Sequence, residues 1–247
     1  MMRPLGCNGP GILVGASVEG LVGGETPPER ADLSPLFTEV TDQRGQSCFG
    51  HAWAGAIRTQ SSMDLDPSNY ASWTLARAIE TPDPQAALRD VGVFGHDMLD
   101  VLRDFGVVAR RRWPDDMPLS SRVTQNVIEA GLLAKLGDVH GIEETGEDLK
   151  RRIQQTVGLA KQCVVFGMLV SKDYMDLWGT GWKAPKGPPL GGHAQHIDAY
   201  TQDFVGVRNS WGKAWGANGR VWIPWDAFLA LGAFDFQTAR FLPTRLL

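Results

Sequence analysis

Residues 207–219 read VRNSWGKAWGANG, and the informative stretch before them, residues 191–200, reads GGHAQHIDAY. Both contain runs of apolar and β-branched residues that are typical of strands, and only a short polar turn separates the two runs. Adjacent strands joined by a short turn bring their side chains close together. We therefore expect His193 and Asn209 to be neighbours in the folded chain.

The chain around these stretches changes character along its length. Helical patterns come first, and they cover Cys48–Gln60, a helix after Pro67 with Ser68 as its N-cap, Asp97–Phe105, a weaker helix from Ser120 or Ser121, and Glu147–Val157. Strand patterns follow at Cys163–Val170, His196–Tyr200, Phe204–Arg208, Arg220–Ile223 and Arg240–Leu242. Helices followed by strands predict an α+β fold.

We expect three regions in the 247 residues. Residues 1–33 are rich in glycine and proline and are predicted to form an irregular N-terminal arm. Residues 34–137 are predicted to form a helical lobe that carries Cys48. Residues 138–247 are predicted to form a β-rich lobe that carries the histidine and the asparagine.

Composition and charge exclude several classes of function. Hydrophobic residues make up 43% of the chain and charged residues 21%, which is ordinary for a soluble globular protein. The net charge of −4 creates no field that would attract a nucleic acid or an acidic membrane surface. No apolar run approaches the length of a membrane span, and the N-terminus makes a poor signal peptide. We predict a cytoplasmic protein that binds neither nucleic acid nor membrane.

The chain has 3 cysteines, an odd number without a Cys-x-x-Cys pair, which favours a reducing compartment over a disulfide framework. One of them, Cys48, begins an apolar helix behind a polar loop in the stretch DQRGQSCFGHAWA, residues 42–54. The free N–H groups and the dipole of a helix N-terminus stabilise a thiolate. A reactive thiol also needs an imidazole and donors for an oxyanion. On this segment alone, a buried structural cysteine remains an alternative.

The order of Cys48, His193 and Asn209 along the chain resembles that of the papain-like cysteine peptidases, in which histidine and asparagine lie far downstream of the cysteine. The most specific match is Asn-Ser-Trp-Gly at residues 209–212. Weaker matches precede it at Ser68-Asn69-Tyr70, Asp104-Phe105-Gly106-Val107, Trp113-Pro114 and Val164-Val165-Phe166-Gly167. The resemblance implies a two-lobe fold with a helical N-terminal lobe, an antiparallel β-barrel-like C-terminal lobe, and an active-site cleft between them.

The resemblance also implies a role for each site residue. Cys48 would be the nucleophile, His193 its general base and acid, and Asn209 the residue that orients the imidazole. Gln43 would donate a side-chain N–H to an oxyanion hole, beside the backbone N–H of Cys48. Trp211 would shield the histidine–asparagine bond from water.

The sequence departs from the family pattern beside the nucleophile. The loop before Cys48 is one residue shorter, Phe49 stands where tryptophan is commoner, and the cysteines of the family's nearby disulfide are absent. The short loop leaves two candidates for the oxyanion donor. Gln46 is only two residues before Cys48, so we expect its side chain to point away, and we predict that Gln43 is the donor.

The remaining histidines have structural interpretations. His51 lies on the same helix as Cys48 and is predicted to be a hydrogen-bonded core residue. His193 and His196 are three residues apart in a strand, so their side chains point to opposite faces and could not bind one metal ion. No glycine-rich nucleotide motif is present. We predict neither a metal nor an organic cofactor.

These features predict a cysteine peptidase that hydrolyses peptide bonds through a thioester acyl-enzyme. Its partners would be a peptide or protein substrate, with a proteinaceous inhibitor as a further candidate. Two alternatives remain open: an amidase, acyl transferase or transpeptidase with the same triad, and an inactive module that binds ligands in the cleft. Because 47 residues are too few for a full inhibitory propeptide and the mature residues before Cys48, we expect an active or nearly active chain. The arm would at most be a short plug.

Overall fold

The computed structural model describes residues 5–8, 16–17, 22–62, 64–80, 83, 85, 88–179 and 182–244. Within them, a short 3-10 helix, Ser34–Leu36, precedes seven α-helices. These are α1 (Cys48–Gln60), α2 (Ala71–Glu80), α3 (Gly95–Asp104), α4 (Gln125–Gly131), α5 (Gly146–Gly158), α6 (Lys172–Met175) and α7 (Trp225–Leu229). No described helix has both the length and the apolar composition of a membrane span.

The described strands form a single 9-stranded sheet. They are β1 (Ala16–Ser17), β2 (Ala31–Asp32), β3 (Val107–Val108), β4 (Leu132–Ile142), β5 (Val164–Ser171), β6 (Pro189–Tyr200), β7 (Phe204–Arg208), β8 (Arg220–Pro224) and β9 (Phe234–Pro243). The order is β1-β4-β9-β5-β6-β7-β8, with β2 added to β6 and β3 to β4, and every pair except β1–β4 is antiparallel. The α+β prediction is confirmed, but the described sheet is open, so "barrel-like" describes it only loosely.

Several strands differ from the sequence-based prediction: β6 begins at Pro189 instead of His196, the short strands β1, β2 and β3 were not predicted, and β4 and β9 differ most. β4 is a long strand that was not predicted, because glycines at 137 and 141 and charges at 135 and 138 obscure its alternation. It pairs with β9, which begins well before the predicted short strand Arg240–Leu242. The predicted boundary between residues 137 and 138 falls inside β4, and the division into lobes remains a prediction.

Helix α1 is buried on all sides, as its composition predicts. Every residue from Cys48 to Thr59 is buried. Glycine and alanine make up much of the helix, and this lets neighbouring elements come close. A Cβ atom at Gly55 would lie 2.5 Å from Cε1 of His196 on β6, and one at Gly50 would lie 2.3 Å from the carbonyl oxygen of Asn69. The helix that begins at Cys48 is therefore held tightly against β6, the strand that carries His193.

A buried ion cluster holds the strands beyond β6 in place. The Asp198 carboxylate on β6 is fully buried and accepts hydrogen bonds from Arg208 on β7, at 3.0 Å, and from Arg220 on β8. Arg208 also donates to the carbonyl oxygen of Glu39, at 3.3 Å. A buried charge with two charged partners is costly to disrupt, so the cluster fixes β7, which leads directly to Asn209.

Candidate active site

Cys48 is the first residue of α1 and is fully buried. Ser47 precedes it at the N-cap position, where the serine hydroxyl donates to the carbonyl oxygen of Arg44, at 3.0 Å, instead of capping the helix. An interaction with the backbone of Ala194 lowers the pKa of the Cys48 thiol and opposes the effect of burial. Ala194 follows His193 on β6, so α1 begins near the strand that carries the predicted base.

His193 and Asn209 are bonded to each other. Nε2 of the imidazole lies 2.7 Å from Oδ1 of Asn209, and this oxygen also accepts the backbone N–H of Ser210, at 2.7 Å. Since Oδ1 is an acceptor, a neutral imidazole in this position donates its proton from Nε2 and has its lone pair on Nδ1. The expectation that the two strands bring these side chains together is confirmed.

Trp211 covers this histidine. Its ring stacks on the His193 imidazole with centroids 4.0 Å apart and an interplanar angle of 21°. Trp215 packs edge-on against Trp211 with centroids 5.8 Å apart, and Tyr174 contacts both tryptophans. The histidine–asparagine hydrogen bond therefore lies beside aromatic rings that keep water away and lower the local dielectric, which strengthens it.

The two glutamines of the loop before Cys48 point to different partners. Oε1 of Gln43 accepts the Ser210 hydroxyl, at 2.5 Å, and its Nε2 donates to the carbonyl oxygen of Gly45, at 2.9 Å. Nε2 of Gln46 donates to the carbonyl oxygen of Asp90, at 2.7 Å. Gln43 is thus held beside the loop of Asn209, whereas the side chain of Gln46 is directed to a different part of the structure.

The described N-terminal residues Leu5–Asn8, here called the cover segment, cross the site. Their backbone N–H groups donate twice to the carbonyl oxygen of Gly192, at 3.1 Å each, and once to that of Val93, at 3.2 Å. The N–H of Val93 donates back, at 2.9 Å. The segment therefore joins the start of β6, just before His193, to the residues that precede α3.

The contacts of the cover segment are close. A Cβ atom at Gly6 would lie 2.0 Å from the carbonyl oxygen of Gln46, and one at Gly192 would lie 2.0 Å from the carbonyl oxygen of Cys7. Cys48 and His193 both have no exposed surface in this arrangement. Cys7 forms isolated bridges with Gly192 and with Val93. Residues 1–4, 9–15 and 18–21 of the predicted irregular arm lie outside the described residues, so the arm stays a prediction.

Burial governs the chemistry of the thiol in this covered arrangement. It raises the pKa of Cys48, and the neighbouring Cys7 adds to the rise, while hydrogen bonds from the backbone of Ala194 and Phe49 oppose it. The sequence predicts a thiolate stabilised by the helix N-terminus. Desolvation outweighs that effect here, so the burial of Cys48 favours the thiol over the thiolate in this arrangement.

His51 is buried, as predicted for a core residue, and His196 is buried as well. Burial lowers the pKa of His51 to about 3, and its ring packs edge-on against Tyr70. No described residue hydrogen-bonds either ring nitrogen of His51, so the prediction of a hydrogen-bonded histidine was wrong. Among the residues that the structure describes, no group of three or more His, Cys, Asp or Glu side chains is placed to hold a metal ion.

Sequence reasoning missed two residues of this site. Ser210 stands inside the Asn-Ser-Trp-Gly match and could have been suspected from its place next to Asn209. Asp90 has no local signal, because its contact with Gln46 joins positions 44 residues apart.

Comparison with known proteins gives the architecture. No protein-family model and no curated protein matches the sequence. Among solved structures, xylellain, a cysteine protease from Xylella fastidiosa, superposes with a TM-score of 0.75 and 20% identity, covering 97% of this chain and 98% of its own. A Carica candamarcensis cysteine protease in complex with E-64 has a TM-score of 0.62 and 19% identity, over 88% of this chain and 99% of its own. A Trypanosoma congolense procathepsin B has a TM-score of 0.64 and 15% identity, over 94% and 87%. The chain has the fold of the papain-like cysteine proteases.

Proposed function

We propose that this protein is a cysteine peptidase in which Cys48 is the nucleophile. The observation that carries the proposal is the 2.7 Å bond between His193 Nε2 and Asn209 Oδ1, because His193 lies on β6, the strand that packs closely against the helix beginning at Cys48. It leaves Nδ1 of His193 as the base that accepts the thiol proton. The thiolate then attacks the substrate carbonyl carbon, and the imidazolium returns its proton to the leaving amine. Water hydrolyses the resulting thioester, with His193 again acting as base.

The oxyanion formed during this attack needs donors that are already in place. We propose the backbone N–H of Cys48 and the side-chain amide of Gln43. The amide is held by Ser210 through its oxygen, which leaves its nitrogen as the group that can turn towards substrate. In the covered arrangement this nitrogen donates to Gly45, so it must change partner when a substrate enters.

The cover segment supports a peptide as the substrate class. It is an extended chain, and the cleft binds it through backbone groups of Gly192 and Val93 on opposite walls. Main-chain hydrogen bonds of this kind accept a polypeptide without regard to its side chains. This favours a peptidase over an amidase acting on a non-peptide amide, and a transpeptidase would use the same backbone groups.

The same contacts make the full chain latent. A substrate cannot reach a nucleophile without exposed surface, and burial raises the pKa of the covered thiol. We therefore propose that the cover segment must leave the cleft before the enzyme acts, which replaces the expectation of a chain that is active as made.

Gly6→Val in the full chain tests this latency. A side chain at this position would meet the backbone of Gln46, so it should displace the cover segment and raise peptide hydrolysis at least about tenfold, the equivalent of 1.4 kcal/mol. Gly24→Val is the matched control, because nothing lies within 4 Å of a Cβ atom there. Cleavage of a peptide library is followed by mass spectrometry. Equal rates for the two variants would contradict the role of the cover segment.

In the Gly6→Val protein, Cys48→Ala should abolish hydrolysis because it removes the nucleophile. Asn209→Ala should lower kcat on the order of 10²-fold, since it only loosens the imidazole. Thermal melting of each variant checks that it is folded. An Asn209→Ala protein that is folded and as inactive as Cys48→Ala would show that this ranking is wrong.

The oxyanion donor is tested in the same background. Gln43→Ala should lower kcat on the order of 10²- to 10³-fold, the effect of losing one such donor. Gln46→Ala is its matched control and should stay within about fivefold of the parent protein, because it loses only a side-chain bond and keeps the backbone N–H that the Asp90 carboxylate accepts. A large loss in Gln46→Ala with Gln43→Ala near the parent would reverse the assignment.

A further inference from the structure

Residues 88–94, here called the bracing segment, connect α2 to α3 and touch both the nucleophile loop and the cover segment. Three side chains of α2 hold the backbone of this segment: Trp73, Arg77 and Glu80 make hydrogen bonds to it at 3.0, 2.6 and 2.7 Å. The bracing segment is therefore fixed to α2 on one side, and its other side contacts the loop before Cys48 and the cover segment.

That neighbour is the loop before Cys48. The Asp90 carboxylate accepts the backbone N–H of Gln46, at 2.7 Å, while the carbonyl oxygen of Asp90 accepts the side-chain N–H of Gln46, also at 2.7 Å. Gly45 has a φ of +64°, and a Cβ atom there would lie 2.4 Å from the Asp90 carboxylate. Only glycine allows this close approach, so Asp90 and the loop are fitted to each other.

The loop in turn determines where the oxyanion donors lie. The carbonyl oxygen of Gly45 receives the side-chain amide of Gln43, at 2.9 Å, and Gln46 is separated from Cys48 by Ser47 alone. A shift of Gly45 and Gln46 would move both the amide of Gln43 and the backbone N–H of Cys48.

Electrostatics support the placement of this carboxylate. Burial lowers the pKa of Arg77 to about 10, and the negative charge of Asp90 opposes that shift. The guanidinium of Arg77 also lies over the ring of Trp73, at 3.8 Å. Arg77 is thus held by the ring of Trp73 and by the carbonyl oxygen of Arg89, next to Asp90 in the chain, so its positive charge has a fixed place near the bracing segment.

We propose that Asp90 is a positioning residue for the oxyanion site. Its carboxylate clasps Gln46 and thereby sets the direction of the Cys48 N–H and of the Gln43 amide. This rests on the peptidase function proposed above. Asp90 does not touch the substrate, so it acts only through the loop.

The test compares Asp90→Ala and Asp90→Asn in the full-length Gly6→Val protein. Asp100→Ala is the matched control, because Asp100 lies on α3 and pairs with an exposed Arg103. Asp90→Ala should lower kcat about 10²-fold, as expected for a displaced catalytic group, with KM changed by about twofold or less. Asp90→Asn keeps an acceptor oxygen and should stay within about fivefold of the parent kcat. Asp100→Ala should match the parent.

Two results would overturn the proposal: an unchanged kcat in Asp90→Ala, or an equal loss in Asp90→Asn and Asp90→Ala. If no variant hydrolyses peptides, the proposed peptidase function is contradicted. The hydrogen bond between Asp90 and the Gln46 backbone is then tested on its own by hydrogen exchange. Hydrogen exchange of the Gln46 backbone N–H should become at least about tenfold faster in Asp90→Ala and stay slow in Asp90→Asn. Equal exchange rates in the two variants would contradict the proposal that the Asp90 carboxylate holds the Gln46 backbone.

Discussion

The close contact between α1 and β6 is the constraint on which the site depends. Gly55 has no side chain, and the ring of His196 occupies the space that a Cβ atom would need. Burial lowers the pKa of His196 far below its ordinary value, so this ring packs as a neutral group. The helix begins at Cys48 and the strand carries His193, so this spacing determines how near the thiol lies to the imidazole. A larger side chain at this contact would push α1 away from β6 and so move Cys48 away from His193.

The site also depends on the exclusion of water from its polar groups. Trp211 and Trp215 shield the histidine–asparagine bond from water, and in the proposed function the cover segment keeps water from the thiol only while it stays in the cleft. The cover segment therefore acts on reactivity as well as on access. Its departure would return solvent to Cys48 and allow the helix N-terminus and the imidazole to favour the thiolate.

Two elements whose residues show a clear local pattern in the sequence were predicted with the correct bounds. The helix Cys48–Gln60 and the strand Phe204–Arg208 have the predicted bounds, and the pairing of His193 with Asn209 followed from two strands and a short turn. β4 escaped prediction because its glycines and charges hide the alternation, and its partner β9 is distant in sequence.

Contacts between distant residues left no trace in the sequence. The bonds from Asp90 to Gln46 and from Ser210 to Gln43 depend on how whole segments pack. The four residues of the cover segment are too few to show the alternation of a strand, so their pairing could not be predicted from the sequence either. The catalytic roles and the cytoplasmic location remain predictions.

The central claim is that Cys48 reacts as a thiolate made by His193, and the pH dependence of its alkylation tests this most directly. The Gly6→Val protein is treated with iodoacetamide across a pH series, and labelling of Cys48 is followed by mass spectrometry, with the fully buried Cys163 as internal reference. The account predicts that the alkylation rate is half-maximal at a pH well below the ordinary thiol pKa of about 8.5. In His193→Ala this pH should return towards that value. A profile that follows the ordinary thiol pKa, unchanged by His193→Ala, would contradict it.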